Sequence, residues 1–219
     1  LATPDAPDPL FQDTNCDGID GDEKAAIFVS PTGNDANAGT LASPVQTITK
    51  ALSLAAAEGK TNVYASKGTY AEAVSLRAGI SLYGGFDQAT GWSRSAANVT
   101  RIAAPGGAVI AAGIGKETHV EFLTLEATTP LTGTSSFAVF VTNSSGPIFL
   151  RYNQVVAADG LSGASGANGT NGASGNSGQN GANGVGGMAT TALGGAPGSS
   201  SCSRAGGQGG SGTSANGAG

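Results

Sequence analysis

The chain has 219 residues, 37 of them Gly, with 11% charged and 5% aromatic side chains. So few aromatic and charged groups argue against a large enzyme core, and no apolar run of about 18 residues is present to cross a membrane as a helix. The net charge of −5 hides an asymmetry: residues 1–23 carry seven acidic and no basic side chains, whereas the rest carry eight acidic and ten basic ones. No basic patch points to nucleic acid. Leu1 opens a Pro/Asp-rich stretch, so an exported chain would already have lost its signal peptide.

Three regions follow in order: an acidic segment (1–24), a strand-rich body (25–158) and a Gly-rich extension (160–219). The first holds Asp13-Thr14-Asn15-Cys16-Asp17-Gly18-Ile19-Asp20-Gly21-Asp22-Glu23. Oxygen donors at alternate positions Asp13, Asn15 and Asp17 can converge on a calcium ion, Gly18 permits the tight turn, and Ile19 offers its carbonyl. Asp20, Asp22 and Glu23 are further candidate ligands. Lys24 stands where an EF-hand needs its bidentate Glu, and the run resembles instead the short Asp-rich calcium repeats of secreted bacterial proteins. A solvated acidic linker is the alternative reading. Cys16 and Cys202 are the only cysteines. In an oxidising compartment they would join the first region to the last, and otherwise they are two free thiols.

The body opens with a β run at 27–30. Ser43 as N-cap, Pro44 at the first helical position and Gly59 at the end predict one helix over about 44–58. Its apolar stripe is Ile48, Ala51, Leu52 and Ala55. Strand-like runs follow near 62–66, 72–76, 80–84, 99–103, 108–112, 119–127, 137–142 and 147–157, with period two read at Val120, Phe122 and Leu123 with Leu125, at Phe137, Val139 and Val141, and at Ile148, Leu150 and Tyr152. Tyr83 and Tyr152 read as inward-facing, leaving Tyr64, Tyr70 and Trp92 to stack on sugars. No helices alternate with the strands, which excludes a doubly wound α/β sheet. A sandwich and a coil of stacked strands both fit this pattern.

The segment Phe28-Val29-Ser30-Pro31-Thr32-Gly33-Asn34-Asp35-Ala36-Asn37-Ala38-Gly39-Thr40, followed by Ser43-Pro44-Val45-Gln46-Thr47-Ile48, resembles the opening of right-handed parallel β-helix proteins of the pectate-lyase-like superfamily. Gly68-Thr69-Tyr70, Ile80-Ser81-Leu82-Tyr83-Gly84-Gly85-Phe86 and Trp92-Ser93-Arg94-Ser95 are similar to a subgroup of secreted surface proteins of predatory and soil bacteria. The resemblance implies an all-β, right-handed parallel β-helix with an N-terminal capping helix. A coil of this kind buries its inner side chains only by stacking turn on turn, and an uncovered end exposes unpaired backbone.

Gly recurs every third position at Gly160, Gly163, Gly166, Gly169, Gly172, Gly175, Gly178, Gly181, Gly184 and Gly187, with no Pro between. A flexible linker is one reading. Another is a polyglycine-II-like bundle in which an edge of Gly lets strands approach closely, as the spacing in springtail glycine-rich antifreeze proteins resembles. Collagen lacks its Pro here.

A β-helix lyase would use acidic groups and a basic residue on one lateral face. Lys116, Glu117, His119, Glu121, Glu126 and Arg151 are the available set, and Glu121 and His119 read as ordinary solvent-facing neighbours. One His excludes a Ser/His/Asp triad, and no catalytic residue is assigned. The expected role is an extracellular, self-assembling structural or adhesive protein of a bacterial surface, with itself and surface polysaccharide as partners. A carbohydrate-active or sugar-binding module is the competing class, and ice binding a third.

Overall fold

In a computed structural model, residues 5–130, 136–163 and 165–175 are described. The alternating apolar positions form thirteen short strands among them, numbered in chain order. The first sheet joins β1 (Ala26–Val29), β2 (Asn62–Ser66), β5 (Ser81–Asp87), β9 (Thr118–Glu121) and β12 (Ile148–Arg151) in parallel, with β6 (Ser93–Arg94) antiparallel to β5. The second holds β3 (Gly68–Tyr70), β7 (Thr100–Ala104), β10 (Thr124–Ala127) and β13 (Gln154–Val156). The third holds β4 (Val74–Ser75), β8 (Val109–Ala112) and β11 (Val139–Thr142). From β2 onward the chain visits the three sheets in rotation, apart from the β6 excursion, and strands of one sheet pair in parallel with those of the next pass. This is consistent with a parallel β-helix, and the sandwich alternative fails because its sheets would be antiparallel.

Register explains why the strands alternate as they do. Ile27, Val63, Leu82, Val120 and Leu150 stand one above another in the first sheet. Tyr70, Ile102, Leu125 and Val155 do so in the second, and Val74, Val109 and Val139 in the third. These columns make one apolar interior, in which Val63, Leu82, Ile102, Val120 and Leu125 are fully buried. Tyr70 joins it by donating its hydroxyl to the Val29 and Ser66 carbonyls, both at 3.0 Å.

The helix, α1, spans Ile48–Glu58, and its Ile48, Ala51, Leu52 and Ala55 enter that same interior, as the stripe predicted. Gly59 ends it in the left-handed region. Its start differs from the expectation at Ser43-Pro44. Val45 pairs with Val29, and the Asp35 carboxylate accepts the Gln46 and Thr47 N–H groups at 2.8 and 2.9 Å. Those bonds keep 44–46 out of the helix, so Thr47, itself extended, is the N-cap. Glu72 then takes the free N–H groups of Ile48 and Thr49 at 2.7 and 3.0 Å, where an acidic group suits a helix N-terminus.

The expected strands 119–127 and 147–157 each divide in two. Phe122 and Tyr152, at matching corners, have φ of 56° and 55°, so the chain bends between the first and second sheets there. Their rings stack at 4.8 Å. Tyr152 is 58% exposed and points outward, contrary to the inward reading. Tyr83 also lies outside the interior, on the outer face of the first sheet.

That outer face carries a second apolar cluster: Ala26, Phe28, Tyr64, Tyr83 and Phe86 from the sheet, with Ile19 and Trp92. The acidic segment therefore does not float as a separate linker. Asp22 N–H donates to the Tyr64 hydroxyl at 3.0 Å, and a Cβ on Gly21 would lie 2.3 Å from that oxygen. Gly21 has φ of 122°, so both contact and backbone demand glycine.

The chain divides into two units, Leu1–Gly163 and Ala164–Gly219. In the second, residues 165–175 are exposed and belong to no helix or strand.

Candidate functional site: the last strands and the outer face

The three interior columns end differently from how they begin. At the first strand the outward edge is satisfied: Phe28 N–H donates to the Gly39 carbonyl (2.8 Å), Val45 N–H to Phe28 (3.1 Å) and Ser30 N–H to Val45 (2.9 Å). At the last strands, β11, β12 and β13, no such covering bond is found among the described residues. Inner-column residues surface there. Val141 is 49% exposed, Leu150 43% and Val155 54%, although the residues they pair with in register, Ala111, Val120 and Leu125, are buried. Phe140, Tyr152 and Val156 are also exposed apolar side chains of this end, on the outer sides of its strands and corner.

The outer face of the first sheet holds two polar constellations. In one, Arg94 is wholly buried. Its Nη1 donates to Asp20 Oδ2 (2.8 Å) and the Asp8 carbonyl (3.2 Å), and its Nε donates to the Gly84 carbonyl (2.9 Å). The guanidinium sits 4.8–5.5 Å from the ring centres of Phe11, Tyr83, Phe86 and Phe122, in the range of cation–π attraction. Burial pushes the Asp20 carboxyl above the ordinary carboxylate value, against the pull of Arg94 and of the Asp8 N–H.

In the other, His119 Nε2 lies 2.9 Å from Glu117 Oε1 and its Nδ1 3.1 Å from Glu121 Oε1. Arg151 Nη1 is 3.8 Å from the same Glu121 oxygen, and its guanidinium lies 4.5 Å from the Phe149 ring centre. The Glu121 side chain is only 5% exposed, so it is not the solvent-facing residue that strand alternation suggested. Tyr83 and Phe149, from the neighbouring strands, flank the imidazole. Of the other residues considered for a lateral site, Glu126 pairs with Arg101 in the second sheet, and the Lys116 side chain packs near Gly79. Tyr64, Tyr70 and Trp92 are at most 3% exposed, which removes them as sugar-stacking platforms.

An open cleft of about 490 Å³ lies where β1, β2 and β5 end. It is lined by Ser30, Thr32, Lys67, Asp87 and Gln88, with Lys67 Nζ 2.7 Å from Asp87 Oδ2.

The residues named for calcium separate into two groups. Asp13 accepts the Asp17 and Gly18 N–H groups (3.2 and 2.8 Å), Asn15 Oδ1 accepts Asp17 N–H (2.9 Å), and Asp17 accepts those of Ile19 and Glu23. These three side chains gather round one turn. Asp20 faces inward to Arg94, Ile19 is buried, and Asp22 caps the short helical turn at Glu23–Ala25. Among the described residues no group of three or more His, Cys, Asp or Glu stands arranged for a metal ion. Cys16 is exposed, and Cys202 lies outside the described residues. A Cβ on Gly160, Gly163, Gly166, Gly169, Gly172 or Gly175 would meet no described atom within 4 Å. Gly178, Gly181, Gly184 and Gly187 lie outside the described residues.

Sequence reasoning missed Arg94 as an anchor. The available signal was electrostatic: seven uncompensated acids in the first segment needed a counter-charge somewhere in the body.

Parallel strands visiting three sheets in turn define a β-helix-like protein. The chain belongs to a family described as a protein of unknown function (DUF1565), whose model matches residues 31–192 and whose members adopt a β-helix-like fold. No curated protein and no solved structure matches the chain.

Proposed function

We propose that this is an extracellular structural protein of a bacterial surface, assembling through the exposed end of its strand coil. In this reading the body is a right-handed β-helix with α1 as its N-terminal cap. The Gly-x-x extension, wound as polyglycine II, supplies a second contact between copies. The observation that carries it is the contrast between the two ends of the interior columns. The first edge is closed by residues 39–45 and α1, while the last presents Val141, Leu150 and Val155 to solvent. An apolar strand edge without a cover pairs with another chain. Electron microscopy of the purified protein tests this. Ordered assemblies are expected, and isolated monomers at every concentration would contradict it.

Calcium belongs to the same reading, held at the turn where Asp13, Asn15 and Asp17 gather. It should then slow proteolysis of residues 5–23, and equal digestion with calcium and with chelator would count against it.

The outer-face group Glu117, His119, Glu121 and Arg151 favours a second reading, a carbohydrate-active or sugar-binding module, in which the cleft beside Lys67 and Asp87 takes part. Cleavage of a polyuronate by the purified chain, abolished by Arg151→Ala, would support it.

A further inference from the structure

We infer that the exposed end pairs with the same end of a second copy, across a twofold axis, so that the unit of assembly is a tail-to-tail dimer. This rests on the assembly reading above and specifies its partner. Three observations select that partner.

The first is continuity. Leu150 and Val155 are the final members of two interior columns, and Val141 ends the line begun by Ala111. Each is 43–54% exposed where the residue below it is buried. What covers them must be apolar and must offer strand edges.

The second is charge. Residues 136–163 contain only Arg151 and Asp159 as charged side chains. Two such faces of near-zero net charge approach without repulsion. The strands β11, β12 and β13 contain no Pro and no Lys, the devices that commonly protect an edge.

The third is the opposite end of the chain. There β1 has its outward bonds filled by residues 39–45, and α1 turns Ser53, Ala56, Ala57 and Glu58 to solvent. Among the described residues that end has no free strand edge on the β1 side, so a head-to-tail stack has no first-sheet ladder to extend there. A face that pairs with its own copy generates an isologous, closed dimer.

The test is the mass in solution of the full chain, by light scattering across a wide concentration range, for wild type, Leu150→Lys, Val155→Lys and Ala57→Lys. Far-UV circular dichroism checks that each variant folds, and the half-exposed sites of the first two make folding the expected result. A wild-type mass twice that of one chain, halved by Leu150→Lys and by Val155→Lys but unchanged by Ala57→Lys, is expected. Open-ended assemblies disrupted by all three variants would overturn the twofold pairing and leave the assembly reading standing. A dimer indifferent to both end variants would overturn the pairing as well. A monomer at all concentrations would overturn the pairing and the assembly reading together.

Discussion

Arg94 shows how one residue can convert an acidic tail into part of a fold. It lies on a strand edge, yet its bonds reach Asp8 and Asp20, more than seventy residues earlier in the chain. Removing one member of a buried ion pair costs about 3–5 kcal/mol, so Arg94→Ala should lower stability by that order at pH 7. Lysine would not substitute, because Nε and Nη1 serve different partners and the planar group lies among four rings. The pH dependence has a definite sign. Burial already raises Asp20, and without Arg94 its folded-state value rises further. A raised carboxyl favours the folded state most below its unfolded value and loses that contribution as pH rises through the folded one. The penalty of Arg94→Ala should therefore shrink between pH 7 and about pH 4, measured by denaturant unfolding at both. Asp35 behaves oppositely. Burial acts to raise its carboxyl, but the Thr47 N–H and hydroxyl, the Gln46 N–H and Lys50 together hold it below the ordinary value. Its contribution is present above about pH 4 and lost as pH falls through the lowered value. Asp35→Ala removes three charge-assisted bonds and should cost about 2 kcal/mol at neutral pH, with α1 the first element to lose amide protection.

Elements in this chain are stabilised by register, and register makes particular positions intolerant. Leu125 sits fully buried between Ile102 and Val155. Leu125→Ala should cost about 2–5 kcal/mol, read from thermal or denaturant unfolding. Gly84 belongs to β5, and a Cβ there would lie 2.3 Å from the Phe122 carbonyl oxygen and 2.7 Å from Leu123. Gly84→Ala pushes against the corner at Phe122 and Leu123, for an expected cost of about 1–3 kcal/mol. The interior columns were legible in the sequence because alternation of Val, Ile and Leu records which side chains stack inward. The start of α1 was not, because Ser43-Pro44 imitates a helix start while Asp35, eight or more residues earlier, decides it through bonds no local pattern encodes. The aromatic outer face was also hidden. Tyr64, Tyr83 and Phe86 look like either core or surface until the strap at 5–23 and Trp92 are known to cover them. The His119 group was visible only as residues of the right type, since its partner Arg151 comes from the next strand of the sheet.

At the scale of the whole molecule the two ends of the coil differ, and that difference makes assembly the expected behaviour. Residues 39–45 bond the outer edge of the first strand, whereas the columns run out at β12 and β13 into solvent. A strand at the end of a parallel ladder has about half its amides turned toward its inner neighbour and half turned away. The inner set in Ile148–Arg151 and Gln154–Val156 is bonded to β9 and β10, whereas the outer set has no covering bond among the described residues and gains protection, in the proposed assembly, when another copy lies against it. The most direct measurement is hydrogen exchange of these two strands at low and high protein concentration. Slowing of their outward amides as concentration rises, with Asn62–Ser66 unchanged, is the expected result. Exchange in β12 and β13 that does not depend on concentration would contradict an assembly face at this end.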